Sequence, residues 1–323
     1  MRERLATKAR HLRKELFVER GHDPRRTALV LGSGRSGTTW LAEAIARQHR
    51  ARLLFEPFHP LLGSLGEGTR LFLDPAADEP IFARAAGRVL AGRARSPHVD
   101  QIRIARFPRG RIVKDVHAAN LLPWLRAHHP EVPVVFVVRH PLAASLSRLR
   151  ADVFHGLGDY VATAAGRADA EDSPAVAWLP RYDRWREHDE ALVRQVAEWC
   201  LENAYPLSRD EDTGVALVFY ETAVLEPVAT LARLGEHCGS ALGSARGAEA
   251  AIGEVRRPSA MDWRGTAAAA GGAAEWERQL GRWRERVSAP LLSECLAVLA
   301  DFGLDGLYGE DPLPLGTGSG QAP

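Results

Sequence analysis

Lysine is nearly missing from this chain. It occurs only at Lys8, Lys14 and Lys114, so almost all of the 42 basic residues are arginine. Cysteine is scarce too: Cys200, Cys238 and Cys295 are odd in number and far apart. Such spacing gives neither a disulfide framework nor a metal knuckle, and fits a reducing, cytoplasmic setting. No apolar run is long enough to span a bilayer, and the N-terminus lacks a signal-peptide core. The net charge is +1, so no global field draws the chain to nucleic acid or to a membrane. Any anion site must therefore be built from placed residues. What is present is a globular composition, 46% hydrophobic and 26% charged over 323 residues. That length buries an ample core without staples. The Arg, Ala and Gly bias points to a GC-rich bacterial source.

Read in order, the chain opens with a basic, helix-prone segment over residues 1–22. It ends near Gly21 and Asp23-Pro24, and its narrow apolar face predicts a solvated helix rather than a membrane-surface one. Thr27 to Ala46 is the organising stretch. An apolar strand (28–31) leads into a glycine-rich turn (32–37), and Thr38 starts an amphipathic helix. Strand, glycine loop and helix together cradle an anion, because backbone comes close and first-turn N–H groups point at it. The spacing resembles a nucleoside-triphosphate P-loop, but Thr38 stands where that motif needs Lys, and the cation sits earlier, at Arg35.

Further strands are predicted at 53–55, 111–116, 134–138 and 215–220, with helices near 81–90, 121–128, 142 onward, 189–205, 227–238 and 276–299, the last broken at Pro290. The run 134–138, VVFVV, marks a strand buried on both faces. The alternation predicts an α/β fold: one domain over residues 23–310, a central parallel sheet of about five strands, and helices on both faces. From residue 311 the Pro, Gly and Ser content predicts a disordered tail.

Charged residues collect at predicted strand ends, where open α/β sheets bind ligands. Glu56 follows the second strand, Lys114, Asp115 and His117 the third, and Arg139 the fourth, with Ser147 eight residues on. At this point a family comes into view. GRSGTTW (34–40) resembles the 5′-phosphosulfate loop of sulfotransferases, and RHPLAASLS (139–147) resembles their 3′-phosphate motif. IVKDVHAANLLPWL (112–125) is similar to the segment bearing the family's Lys, VFYE (218–221) to the strand whose Tyr lies near the adenine, and RRPS (256–259) to a late basic loop.

The resemblance implies a P-loop-like site for 3′-phosphoadenosine 5′-phosphosulfate (PAPS) and no metal. Gly34, Arg35, Ser36, Gly37, Thr38 and Thr39 would take the 5′ end; Trp40, next in the motif, is counted with the cofactor site either as a core residue behind the loop, which is preferred, or as a base-stacking platform. Arg139, Ser147, Arg256 and Arg257 would take the 3′-phosphate, and Tyr220 the adenine edge. Lys114 and Arg35 would stabilise the leaving oxygen and the transferred group. The base would be Glu56 or His117, and Glu56 is preferred. His117 lies three residues past Lys114, which on an extended strand turns its side chain to the other face. Segments 59–100 and 151–185 would form the pocket for a small-molecule or carbohydrate hydroxyl. A triphosphate-dependent kinase and a non-catalytic nucleotide-binding protein of the same fold remain open.

Overall fold

The computed structural model describes residues 21–60, 62–65, 72–151, 177–208, 214–245 and 273–316. Most of the basic N-terminal segment and residues 246–272, with Arg256 and Arg257, lie outside the described residues.

Five strands form one sheet: β1 (Thr27–Gly32), β2 (Arg52–Phe55), β3 (Arg111–Asp115), β4 (Val134–Val138) and β5 (Val215–Phe219). Their order is β2-β3-β1-β4-β5, and every pairing is parallel. The predicted sheet is therefore the one observed. The helices are α1 (Thr38–His49), α2 (Pro80–Leu90), α3 (Leu122–His128), α4 (Pro141–Ala151), α5 (Leu179–Trp185), α6 (Ala191–Leu207), α7 (Tyr220–Leu225), α8 (Pro227–His237), α9 (Gly239–Leu242), α10 (Ala273–Gly281) and α11 (Ala289–Asp301).

Period-two alternation divides the core between the two faces of the sheet. Leu29, Leu31, Leu54, Val113, Val134 and Phe136 pack with Trp124, Trp199 and residues of α2, α6 and α11. Ala28, Val30, Leu53, Ile112, Val135 and Val137 pack with Leu41 and Ile45 of α1 and with Leu231 and Leu234 of α8. Strands buried on both faces need aliphatic residues at every position, which is what β1 and β4 carry. The three cysteines are buried and free. Among the described residues no helix is long and apolar enough to cross a membrane.

The differences from the predicted elements have local causes. Tyr220 opens α7 instead of ending β5. The predicted break at Pro290 falls just ahead of it, at the extended Val287 and Ser288, and Pro290 stands in the first turn of α11, where its missing N–H costs nothing. Of the predicted tail, residues 311–316 are described: the Leu315 N–H donates to the Leu307 carbonyl, and Arg284 pairs with Asp311.

His140, between β4 and α4, is stacked on Trp283 at 4.5 Å and meets the Tyr308 ring at 4.9 Å. Burial pushes its imidazole down to about 3. The unfolded chain takes this proton near pH 6.5 and the folded one does not. Stability from this group is thus full above pH 6.5 and is lost as pH falls towards about 3. Each pH unit in that window costs about 1.4 kcal/mol. His140→Phe keeps the stack, and urea midpoints at pH 7, 6 and 5 are expected to fall less steeply in that variant, by the equivalent of one proton.

Candidate active site

The strand order reverses between β1 and β4, because β2 and β3 lie on one side of β1 while β4 and β5 lie on the other. A crevice at the carboxyl ends of the strands is expected at such a switch point. The glycine loop leaves β1 there and Arg139 leaves β4 there.

The loop is held in one shape by several contacts. Ser33 Oγ and Ser36 Oγ share a hydrogen bond of 2.8 Å, and the Ser36 N–H donates to the Ser33 carbonyl at 3.3 Å. Gly37 has φ +87°, and a Cβ there would run into the Tyr220 ring. It caps α1 without any side-chain capping bond, so the first-turn N–H groups of α1 are presented to whatever enters the loop. Arg35, with φ +67°, adopts a left-handed conformation that non-glycine residues hold only under constraint.

The structure brings the two sequence motifs together. Arg139 Nη1 donates to the Arg35 carbonyl at 3.1 Å, and Arg35 Nε donates to Ser147 Oγ at 3.0 Å. The Arg139 guanidinium lies 4.5 Å from the centre of the Tyr220 ring, and the Tyr220 and Trp40 rings meet edge to face with centres 5.9 Å apart. Arg139 Nε is buried with no hydrogen-bond partner. Trp40 is partly buried against the core on the α1 face.

On the other flank of β1 stand Glu56, Lys114 and His117. Lys114 pairs with Phe55 in the β2–β3 register. It shares Ile112's side of β3, the side covered by α1. Its ammonium donates to Glu56 Oε1 and sits 4.7 Å from the Phe55 ring centre. Glu56 is the first residue past β2 and also has positive φ, at 45°. Its N–H donates to the Lys114 carbonyl at 2.7 Å, which fixes the turn. Burial opposes ionisation of this carboxyl, but the Lys114 charge and hydrogen bond hold it below its ordinary range.

His117 corrects the parity expectation. β3 stops at Asp115, whose Oδ1 accepts the His117 N–H at 2.8 Å, an Asx-type turn that curls the chain back. His117 Nε2 thereby comes to 4.0 Å from Glu56 Oε2, on the same side as Lys114. Burial pushes the imidazole down to about 4, against the pull of Glu56. Asp115 is structural: its other oxygen takes the Phe58 N–H at 2.7 Å, and burial together with the Glu56 charge pushes it up to about 7. His59 lies against His117, ring centres 4.5 Å apart.

Three acidic or basic groups were given no role from the sequence. Arg148 and Glu202 form a buried ion pair beneath the loop. Glu221 accepts from the His140 N–H and from the Tyr308 hydroxyl, under Arg139. Their partners are dozens of residues away, and no local spacing marks them.

The sequence model of the Sulfotransferase family matches residues 28–242, which contain all of these groups except Tyr308. The chain belongs to the sulfotransferase family. It is accordingly a transferase. Among solved structures, this sulfotransferase is similar to one from Alicyclobacillus acidocaldarius, with 13% identity, 88% of this chain and 97% of that chain covered, and a TM-score of 0.36. It is also similar to the sulfotransferase domain from the curacin biosynthetic pathway, with 14% identity, 86% and 97% covered, and a TM-score of 0.43. No curated protein matches the sequence.

The Glu56–Lys114 pair yields a direct check. In Lys114→Met the carboxyl stays buried and loses its cation. Its pKa is expected to move from below to above the ordinary 4.5, read by carbon-13 NMR titration of labelled glutamate.

Proposed function

We propose that this sulfotransferase moves a sulfuryl group from PAPS to a hydroxyl of a small-molecule or carbohydrate acceptor, within a catalytic domain over residues 23–310. The observation that carries the reading is Arg139, whose guanidinium is tied to the glycine loop while its Nε is buried and unpartnered. Buried donors are nearly always satisfied, so an orphan beside an uncapped helix start favours an anionic ligand at that place. PAPS is anionic at two ends, and the two motifs that meet here offer one cradle for each. Residues 34–39 would hold the 5′ end, and Arg139 with Ser147 the 3′-phosphate. Tyr220 and Trp40 would border the adenine. Arg256 and Arg257, in the late basic loop, would add to the 3′ cradle.

Sulfuryl transfer, like phosphoryl transfer, asks a protein for in-line positioning and charge stabilisation. The donor supplies an activated sulfuryl group and a phosphate as leaving group. Lys114 is a compact ammonium that places positive charge where the leaving oxygen becomes negative and can return a proton to it. Arg35 adds a second cation from the loop. Glu56 takes the acceptor proton: one of its oxygens is held by Lys114 and the other faces His117. Neutral His117 is the other group in reach of that proton.

Labelled donor and a panel of sugar and aromatic alcohols test the reading. Lys114→Ala is expected to lose about 10²-fold or more in kcat while still binding adenosine 3′,5′-bisphosphate. Unchanged turnover would remove this mechanism. The pH profile gives a second check. Glu56 lies below 4.5 and His117 at about 4, so the acid limb of kcat/KM is expected at or below pH 4.5. A limb centred near 6.5 would mean that an unperturbed histidine, not this pair, accepts the proton.

A further inference from the structure

Beneath the glycine loop, the Arg148–Glu202 pair is a feature that the mechanism above leaves unused. Arg148 follows Ser147 on α4, Glu202 lies on α6, and the two are 2% and 6% exposed. Arg148 Nη1 and Nη2 both donate to the Glu202 carboxylate. Its Nε and Nη2 also converge on the Gly34 carbonyl, at 3.1 and 3.0 Å.

Two buried charges are a poor way to fill a core, since an apolar pair of similar volume is often as stable or more so. What the ion pair adds is a fixed donor for one loop carbonyl. In a trans peptide the C=O and the following N–H point in opposite directions. Seating the Gly34 carbonyl inward on Arg148 therefore turns the Arg35 N–H outward, away from the core. The next carbonyl, that of Arg35, rests on Arg139. Both peptide carbonyls around the strained Arg35 are thus gripped by guanidinium groups, one neutralised by Glu202 and one at the site. Strained backbone persists where its surroundings over-determine it.

We propose that Arg148 and Glu202 are positioning residues: they hold the loop in its anion-binding shape and join it to α4, so that the loop and Ser147 form one rigid cradle. The proposal rests on the donor reading given above. Neither side chain touches the nucleotide in this scheme.

The deciding variant is Arg148→Met with Glu202→Leu, which removes the grip and leaves an apolar core. Three quantities are measured: the thermal midpoint, the Kd for adenosine 3′,5′-bisphosphate by calorimetry, and the KM values for donor and acceptor. The midpoint is expected to stay within about 5 °C of wild type. The bisphosphate Kd and donor KM are expected to rise about tenfold or more, with acceptor KM unchanged. Glu202→Gln, which keeps an acceptor for Arg148, is expected to recover most of the affinity. A folded double variant with wild-type bisphosphate affinity overturns the proposal. If the double variant does not fold, Arg148→Lys decides, because an ammonium cannot hold carboxylate and carbonyl with one planar fork. Tenfold weaker binding there supports the proposal and wild-type binding overturns it. Wild-type protein that binds no bisphosphate removes the donor reading and this proposal with it, an outcome distinct from loss in the variants alone.

Discussion

Parallel pairing of β1 with β3 on one side and β4 on the other is the constraint from which the site follows. Parallel strands all deliver their following turns to the same edge of the sheet. Four such turns therefore arrive together: the glycine loop, Glu56, the Lys114–His117 turn and Arg139. The register sets their order across the edge, with Val30 opposite Lys114 and Gly32 opposite Val137. No loop has to be long to bring these groups together. The aliphatic sheet supplies rigidity, and the charged groups stand on its rim.

The rim is dense in charge that the interior would not accept unpaired. Lys114 meets Glu56, Arg148 meets Glu202, and Glu221 is bound by the Tyr308 hydroxyl and the His140 N–H. Each carboxylate finds donors because desolvation would otherwise drive it to its neutral form. Arg139 Nε is left out of this accounting of donors and acceptors, as the one guanidinium nitrogen among the described residues that is buried without a partner. Around it the backbone is strained at Arg35, and across the edge it is strained again at Glu56. Of the three left-handed non-glycine residues among those described, these two stand at the rim, and the third, Arg50, caps the end of α1.

The two flanks differ in how they are held. Arg35 is fixed through its carbonyl and that of its neighbour, from α4 and from the end of β4. Glu56 is fixed through its own N–H, by the strand that also carries its cation. Glu56 and Lys114 are thereby tied to adjacent strands, while the glycine loop is tied to α4 and to the residue after β4.

Much of this was legible before any coordinates. Hydrophobic runs such as VVFVV, and glycine spacing in GRSGTTW, report local backbone needs that any fold must meet, so the strands, the loop and the family emerged from the chain itself. Arg139 and Ser147 could be singled out together because they stand eight positions apart, across one turn and the start of a helix. The side to which His117 turns was not fixed by parity, because alternation along a strand says nothing once the Asp115 side chain bonds the backbone two residues on and the strand ends. Arg148 and Glu202 were invisible, since their meeting requires α4 and α6 to pack, and packing between distant segments leaves no local periodicity. Sequence alone thus determined which groups stand at strand ends, because short-range sterics and hydrogen bonding decide that. Only the tertiary structure decided which of them face one another, because that depends on strand order and on charges seeking partners far along the chain.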